Sequence, residues 1–136
     1  MNTIDNVITS ALQNNATVMA DATEICYGAG NVSTEYPFVV LFKQPIVDAD
    51  RYSFSARSSR LQRYVVKAVD IGMSKQRAQR IADNVDSVLT DSSLTLTGWA
   101  WKHCHRIGDV EYQESLPDGQ VAWHVGGIYE IMVSVA

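Results

Sequence analysis

The chain lacks most of what local sequence chemistry is built from. Its 136 residues hold two cysteines, Cys26 and Cys104, with no CxxC pair. That excludes a dense disulfide framework and a paired-thiol zinc or redox motif. Two separated thiols read first as reduced side chains in a reducing compartment, and the sequence does not decide whether they pair. No P-loop, GxSxG, HExxH or GxGxxG occurs. Gly28-Ala29-Gly30 is too short for a phosphate-binding turn and precedes a strand instead of opening a helix. No stretch approaches the roughly 20 apolar residues of a bilayer span. The opening MNTIDNVITSALQ has no basic leader and carries Asp5, so no signal peptide and no membrane partner are expected. Basic charge is also scarce: 11 Lys and Arg against 15 Asp and Glu leave a net −4, which disfavours general nucleic-acid binding.

What remains is an ordinary globular composition, 46% hydrophobic and 19% charged, which argues against disorder. With no repeat or linker, residues 1–136 are expected to form a single domain. Ile4, Val7, Ile8, Ala11 and Leu12 recur at helical spacing after Thr3, a ready N-cap. Residues 16–25 are ambiguous, with Val18, Ala22 and Ile25 sharing a helical face over a short run. Residues 27–31 read as a loop.

Residues 36–43 (YPFVVLFK) form the first clear strand. Tyr36, Phe38, Val40 and Phe42 lie on one face and Val39 and Leu41 on the other, so an inner strand is expected. A long loop or hairpin over 44–59 leads to a strand over 60–69. Residues 74–89 form a helix with Ala78, Ile81, Ala82, Val85, Val88 and Leu89 as its stripe and Ser74 as N-cap. Its charges oppose the helix dipole: Lys75, Arg77 and Arg80 come early, and Asp83, Asp86 and Asp91 late. Either that polarity serves a partner, or screening and an Arg80–Asp83 pair make it nearly free. A strand over 94–107, bent at Gly98, continues over 109–116 beyond a break at Gly108. Leu116-Pro117-Asp118-Gly119 is a turn. Residues 120–135 form the last strand, odd positions facing the core, with Gly126-Gly127 expected to insert a bulge that swaps the faces. The order α–β–β–α–β–β gives an α+β fold, helices packed on a four-stranded, mostly antiparallel sheet.

Few side chains suggest chemistry. His103 and His105 share a strand face while Cys104 points away, and His124 across the hairpin offers a third imidazole for a metal. The competing reading is partly buried strand histidines beside Trp99 and Trp101. Asp48/Asp50, Asp83/Asp86 and Glu111/Glu114 are acidic pairs with nothing around them to raise one pKa, so solvated surface is expected. No catalytic residue, metal site or cofactor is assigned.

The most informative stretch is 48–67. Arg51, Arg57, Arg60, Arg63 and Lys67 against Asp48 and Asp50 give it +3, so the rest of a −4 chain carries −7. Tyr52, Phe54 and Tyr64 are interleaved. Basic and aromatic residues together suit single strands or protein interfaces, including a ring in which the basic loop of one copy meets the acidic body of the next. Arg51, Tyr52, Phe54, Arg57 and Arg60 are the candidate assembly-interface residues. A solvated loop is the plain alternative.

The sequence of a short N-terminal helix, YPFVV at 36–40, RLQRYVV at 60–66, AQRIADNVDSVL at 78–89 and a final IYEIMVSV resembles the tail terminator (tail completion) proteins of long-tailed bacteriophages, and related small tail-component and neck families. The likeness rests on element order, size and short stretches over most of the chain. It implies a non-enzymatic virion component without cofactors. Such a protein forms a ring, usually of six copies, on the head-proximal end of the tail tube. The ring ends tube polymerisation and offers a surface to head–tail connector proteins, while DNA passes through the channel without specific binding. It implies a place in the tail or neck, with assembly in the host cytoplasm. The aromatics and histidines at 99–105 are not a feature of that family pattern. Three other readings stand beside it: a head-completion or joining protein, a small metal- or ligand-binding domain using His103 and His105, and a single-strand binder using Arg57, Arg60, Arg63 and Tyr64.

Overall fold

A computed structural model describes residues 3–28, 35–44, 59–90 and 92–135. Helix α1 spans Ile4–Gln13 and buries Ile8 and Leu12; the Thr3 hydroxyl caps it by accepting from the Asn6 N–H at 3.3 Å. Asn15 then caps α2, Ala16–Asp21, accepting from the Val18 N–H at 3.0 Å. The strands are β1, Glu24–Tyr27; β2, Phe38–Gln44; β3, Ser59–Ile71; β4, Trp99–Ser115; and β5, Val121–Val135; α3, Gln76–Leu89, lies between β3 and β4.

The fold is α+β, as expected, but the sheet has five strands in the order β1-β2-β3-β5-β4. The extra strand is β1, which pairs parallel to β2, while all other pairs are antiparallel. The ambiguous 16–25 stretch therefore divides into a short helix and a short strand. Four residues with only Ile25 and Cys26 buried carry no alternation to read, so β1 exists because the β2 edge hydrogen-bonds to it.

One face of the sheet carries the helices. Val39, Leu41, Tyr64, Val66, Val125, Tyr129, Ile131 and Val133 meet the apolar sides of α1 and α3 there. The inner position of β2 follows from its two apolar faces: Phe38 and Val40 join Cys26, Val69 and Ala122 in a second cluster, apart from the main core. Cys26 and Cys104 are buried in different clusters and form no disulfide.

Several details differ from the sequence reading. Gly126 and Gly127 form no bulge: β3 and β5 stay in register through Val66↔Gly127 and Lys67↔Gly126. The register shifts lie in β4 instead, between Trp101 and His103 and between Arg106 and Gly108. These glycines serve close approach, since a Cβ on Gly126 would lie 2.1 Å from the Val66 carbonyl oxygen. Residues 94–98 are not strand; Gly98 takes φ +83° in a tight turn, and β4 begins at Trp99 and continues as one strand to Ser115, the expected break at Gly108 being only the register shift there. The Pro117 turn is present, with Gly119 at φ +86°. The N-cap position of α3 is Lys75, without a side-chain cap, while Ser74 accepts from the Gln76 N–H at 3.2 Å.

Candidate assembly surfaces

Of the five residues singled out for assembly, Arg51, Tyr52, Phe54 and Arg57 lie outside the described residues. Arg60 is exposed at the start of β3, its guanidinium 5.1 Å from the centre of the Trp99 ring. It borders a hollow of about 380 Å³ with mixed polar and apolar walls, together with Lys43, Asp5, Tyr64 and Trp99. In that hollow the Tyr64 hydroxyl donates a short hydrogen bond to Asp5, joining β3 to α1. Burial, and then that carboxylate, push the Tyr64 phenol well above its ordinary range, so it stays a donor. Arg63 and Lys67 do not line the hollow. Arg63 pairs with Glu130 at 3.3 Å, and Lys67 lies over the rings of Phe42 and Tyr112. The run of basic residues in sequence is thus divided between one end of the sheet and its helix-free face, because alternate strand residues face opposite ways.

The histidines do not converge. His103 and His105 stack at 4.3 Å on the helix-free face, and Cys104 is buried on the other, as strand alternation requires. His124 is not a third partner: it lies opposite Tyr112, far down the hairpin from His105, which lies opposite Glu130. Its ring stacks on Tyr112 at 4.4 Å and its Nε2 lies 2.9 Å from Glu114. Burial lowers the His124 pKa, with Lys67 adding to the effect and Glu114 opposing it. Among the described residues no three His, Cys, Asp or Glu side chains are placed to hold a metal ion.

Most of the reversed charges of α3 find partners outside the helix. Lys75 meets Glu111 at 2.9 Å, Arg77 takes both oxygens of the buried Asp70 at 2.8 and 2.7 Å, and Arg80 takes both of Asp21. The expected Arg80–Asp83 pair is absent; Asp83 accepts from Gln79 instead. Asp86 accepts from the hydroxyls of Tyr129 at 2.8 Å and Thr90 at 2.7 Å, and Arg106 lies 3.4 Å away. Burial works to raise the Asp86 pKa, but these hydrogen bonds and the Arg106 charge outweigh it and hold the carboxyl below its ordinary value. Gly127 makes this possible, since a Cβ there would lie 2.8 Å from the Arg106 Nε.

The surface that composition did not reveal lies at the other end of the sheet. A depression of about 480 Å³ is walled by Ile71, Gly72, Met73, Val121, Trp123 and the β4–β5 turn. Met73 is fully exposed at its rim, and the Trp123 indole N–H donates to the Gly72 carbonyl at 3.2 Å. Among the described residues, β4 pairs only with β5 and β1 only with β2, so both sheet edges are open.

No family model matches the sequence, and neither does any curated protein. The fold itself has relatives among solved structures. One chain of the virion of a native gene transfer agent particle aligns over 96% of this chain and 94% of its own, with a TM-score of 0.72 and 11% identity. A second solved structure aligns over 99% of this chain and 97% of its own, with a TM-score of 0.55, also at 11% identity. At such identity the likeness is one of fold.

Proposed function

We propose that this chain is a non-enzymatic structural protein of a phage-like particle. In this reading it forms a ring, of about six copies in the family it resembles, at the head-proximal end of a tail tube. The ring ends tube growth and receives the head connector. The observation that carries the reading is the fold shared, nearly end to end, with a chain of the gene transfer agent virion. The arrangement of the molecule is in keeping with it. Polar side chains are spent on joining helices to sheet, as in the Arg77–Asp70 and Arg106–Asp86 pairs, and the apolar depression and open edges are left for other chains.

Disrupting the gene in its particle-forming host and imaging the products tests this. Over-long or unfinished tails are the expected result. Finished tails beside full heads would move the chain to head joining, and normal infectious particles would refute a structural role.

A further inference from the structure

Most cations of the described structure are neutralised at contact distance. Arg63, Lys75, Arg77, Arg80 and Arg106 are each held by a carboxylate, and Lys67 bonds to the Tyr112 hydroxyl. Among the described residues, Lys43, Arg60 and Lys102 have no carboxylate partner. Lys43 and Arg60 border the same hollow of about 380 Å³. Their convergence follows from the sheet. Strand alternation puts Arg60, Gln62 and Tyr64 of β3 on one face. Lys43 of β2 lies opposite Tyr64 and shares that face. The start of α1 closes the hollow at Ile4, and Leu96, Trp99 and Val133 complete its apolar wall. Asp5 is the carboxylate among the described residues of this wall, and its oxygens are engaged by the hydroxyls of Tyr64 and Tyr27. Two cations and one carboxylate leave the hollow at +1. Arg60 is held over the Trp99 ring at 5.1 Å, and among the described residues no hydrogen bond occupies its N–H groups. A guanidinium fixed in this way keeps its fork free for an acceptor.

We infer that the hollow between Lys43, Arg60 and Trp99 binds a carboxylate monoanion carried on an apolar body about the size of one aromatic side chain. The charge selects a monoanion: one carboxylate neutralises +1, whereas a phosphate monoester dianion would leave −1 beside Asp5. The Arg60 fork matches the two oxygens of a carboxylate, and Lys43 supplies a second charge-assisted hydrogen bond. The size selects a small body, since about 380 Å³ is near the lower end of the roughly 300–1,000 Å³ of ligand pockets. A nucleic-acid strand would bring further phosphates, for which the described wall holds no further cation. The C-terminal residue of a peptide and a free aryl-alkanoic acid both present the required chemistry. The site is independent of the tail-end reading, which the morphology of tails decides.

The test is an NMR titration of the full chain, read at the Trp99 indole N–H, with 3-phenylpropionate as the probe. Saturable binding with a Kd of about 1 mM or tighter is expected. The uncharged 3-phenylpropionamide should bind at least roughly tenfold more weakly, and the affinity of the acid should fall as NaCl rises. Lys43→Gln and Arg60→Gln should each weaken the acid by about tenfold and leave the amide unchanged. Arg63→Gln, on the opposite face of the sheet, should bind like wild type. All three side chains are exposed, and urea unfolding verifies that each variant is folded. N-acetyl-Ala-Ala-Phe with a free carboxylate separates the two sources. Tighter binding than 3-phenylpropionate assigns the site to a chain terminus, and weaker binding assigns it to a free small acid. No saturation by about 20 mM acid would overturn the inference. So would equal binding of the amide, glutamine variants that match wild type, or tighter binding of phenyl phosphate or of a short oligothymidylate.

Discussion

Replacing Gly126 with alanine should be among the most damaging single changes in the protein. The added Cβ would lie 2.1 Å from the Val66 carbonyl oxygen and 2.5 Å from the Lys67 Cα, both backbone atoms of β3. An ordinary contact begins near 3.4 Å, so one strand must retreat by roughly 1 Å. β3 has no room to do so, because it is bonded to β2 on one side and β5 on the other. Relief means breaking about two ladder hydrogen bonds at ~1 kcal/mol each. Overpacking strain adds about 1–3 kcal/mol. The expected loss is about 3–5 kcal/mol, a large part of the ~5–15 kcal/mol available to a domain. In urea unfolding, with a slope of about 2 kcal/mol per M, the midpoint should fall by roughly 2 M. Gly108→Ala is the control, since its Cβ would meet the Ile128 side chain at ordinary contact distance, its nearest atom being Cδ1 at 3.4 Å. Alanine in a strand gains about 0.5–1 kcal/mol over glycine, so this variant should match or exceed wild type. A Gly126→Ala midpoint that corresponds to less than about 1 kcal/mol, or equal damage from Gly108→Ala, would refute the steric argument.

Arg77→Ala should destabilise by about 2–3 kcal/mol, because it strands the buried Asp70 carboxylate. Asp70→Asn/Arg77→Met should recover most of that loss in a double-mutant cycle by denaturant. For His124, the folded pKa lies below the ordinary 6.5, so the unfolded chain binds the proton more readily. Stability should therefore be complete above pH 6.5 and fall as pH drops through the folded pKa; urea midpoints of His124→Gln should lack that decline. Asp21 and Asp86, lowered from 3.8, act in the same direction at more acid pH, so their contribution disappears below that value. Tyr129→Phe should cost about 1 kcal/mol by removing its hydrogen bond to Asp86, as read from thermal unfolding. Neither Cys26 nor Cys104 should react with a thiol reagent in the folded protein, and both should react in denaturant.

Much of the fold was written locally. The i, i+3, i+4 stripe and Thr3 set α1, the two apolar faces of β2 placed it inside the sheet, and Pro117 and Gly119 set the turn of the last hairpin. Strand alternation alone separated Cys104 from His103 and His105. Four residues at 24–27 could not be read as a strand, because their only strong determinant is the free edge of β2. A Gly-Gly pair reads as a bulge, yet at 126–127 it answers the crowding of β3 and the Arg106 side chain, which no window of sequence contains. The candidate surfaces divide the same way. Composition found a basic, aromatic stretch; the depression at Met73 and Trp123 is assembled from residues of β3, β4 and β5 that are distant in sequence.

Helix α3 shows most directly what each level decides. Its apolar stripe determined that it would be a helix and which side it would bury. Its charges, reversed against its own dipole, pointed to a misfit. Folding removed the misfit by setting Asp70, Asp21 and Glu111 beside Arg77, Arg80 and Lys75, and Arg106 beside Asp86. Periodicity is a property of neighbours along the chain and is legible there. Charge pairing depends on distance in space, which only the packed sheet and helices fix.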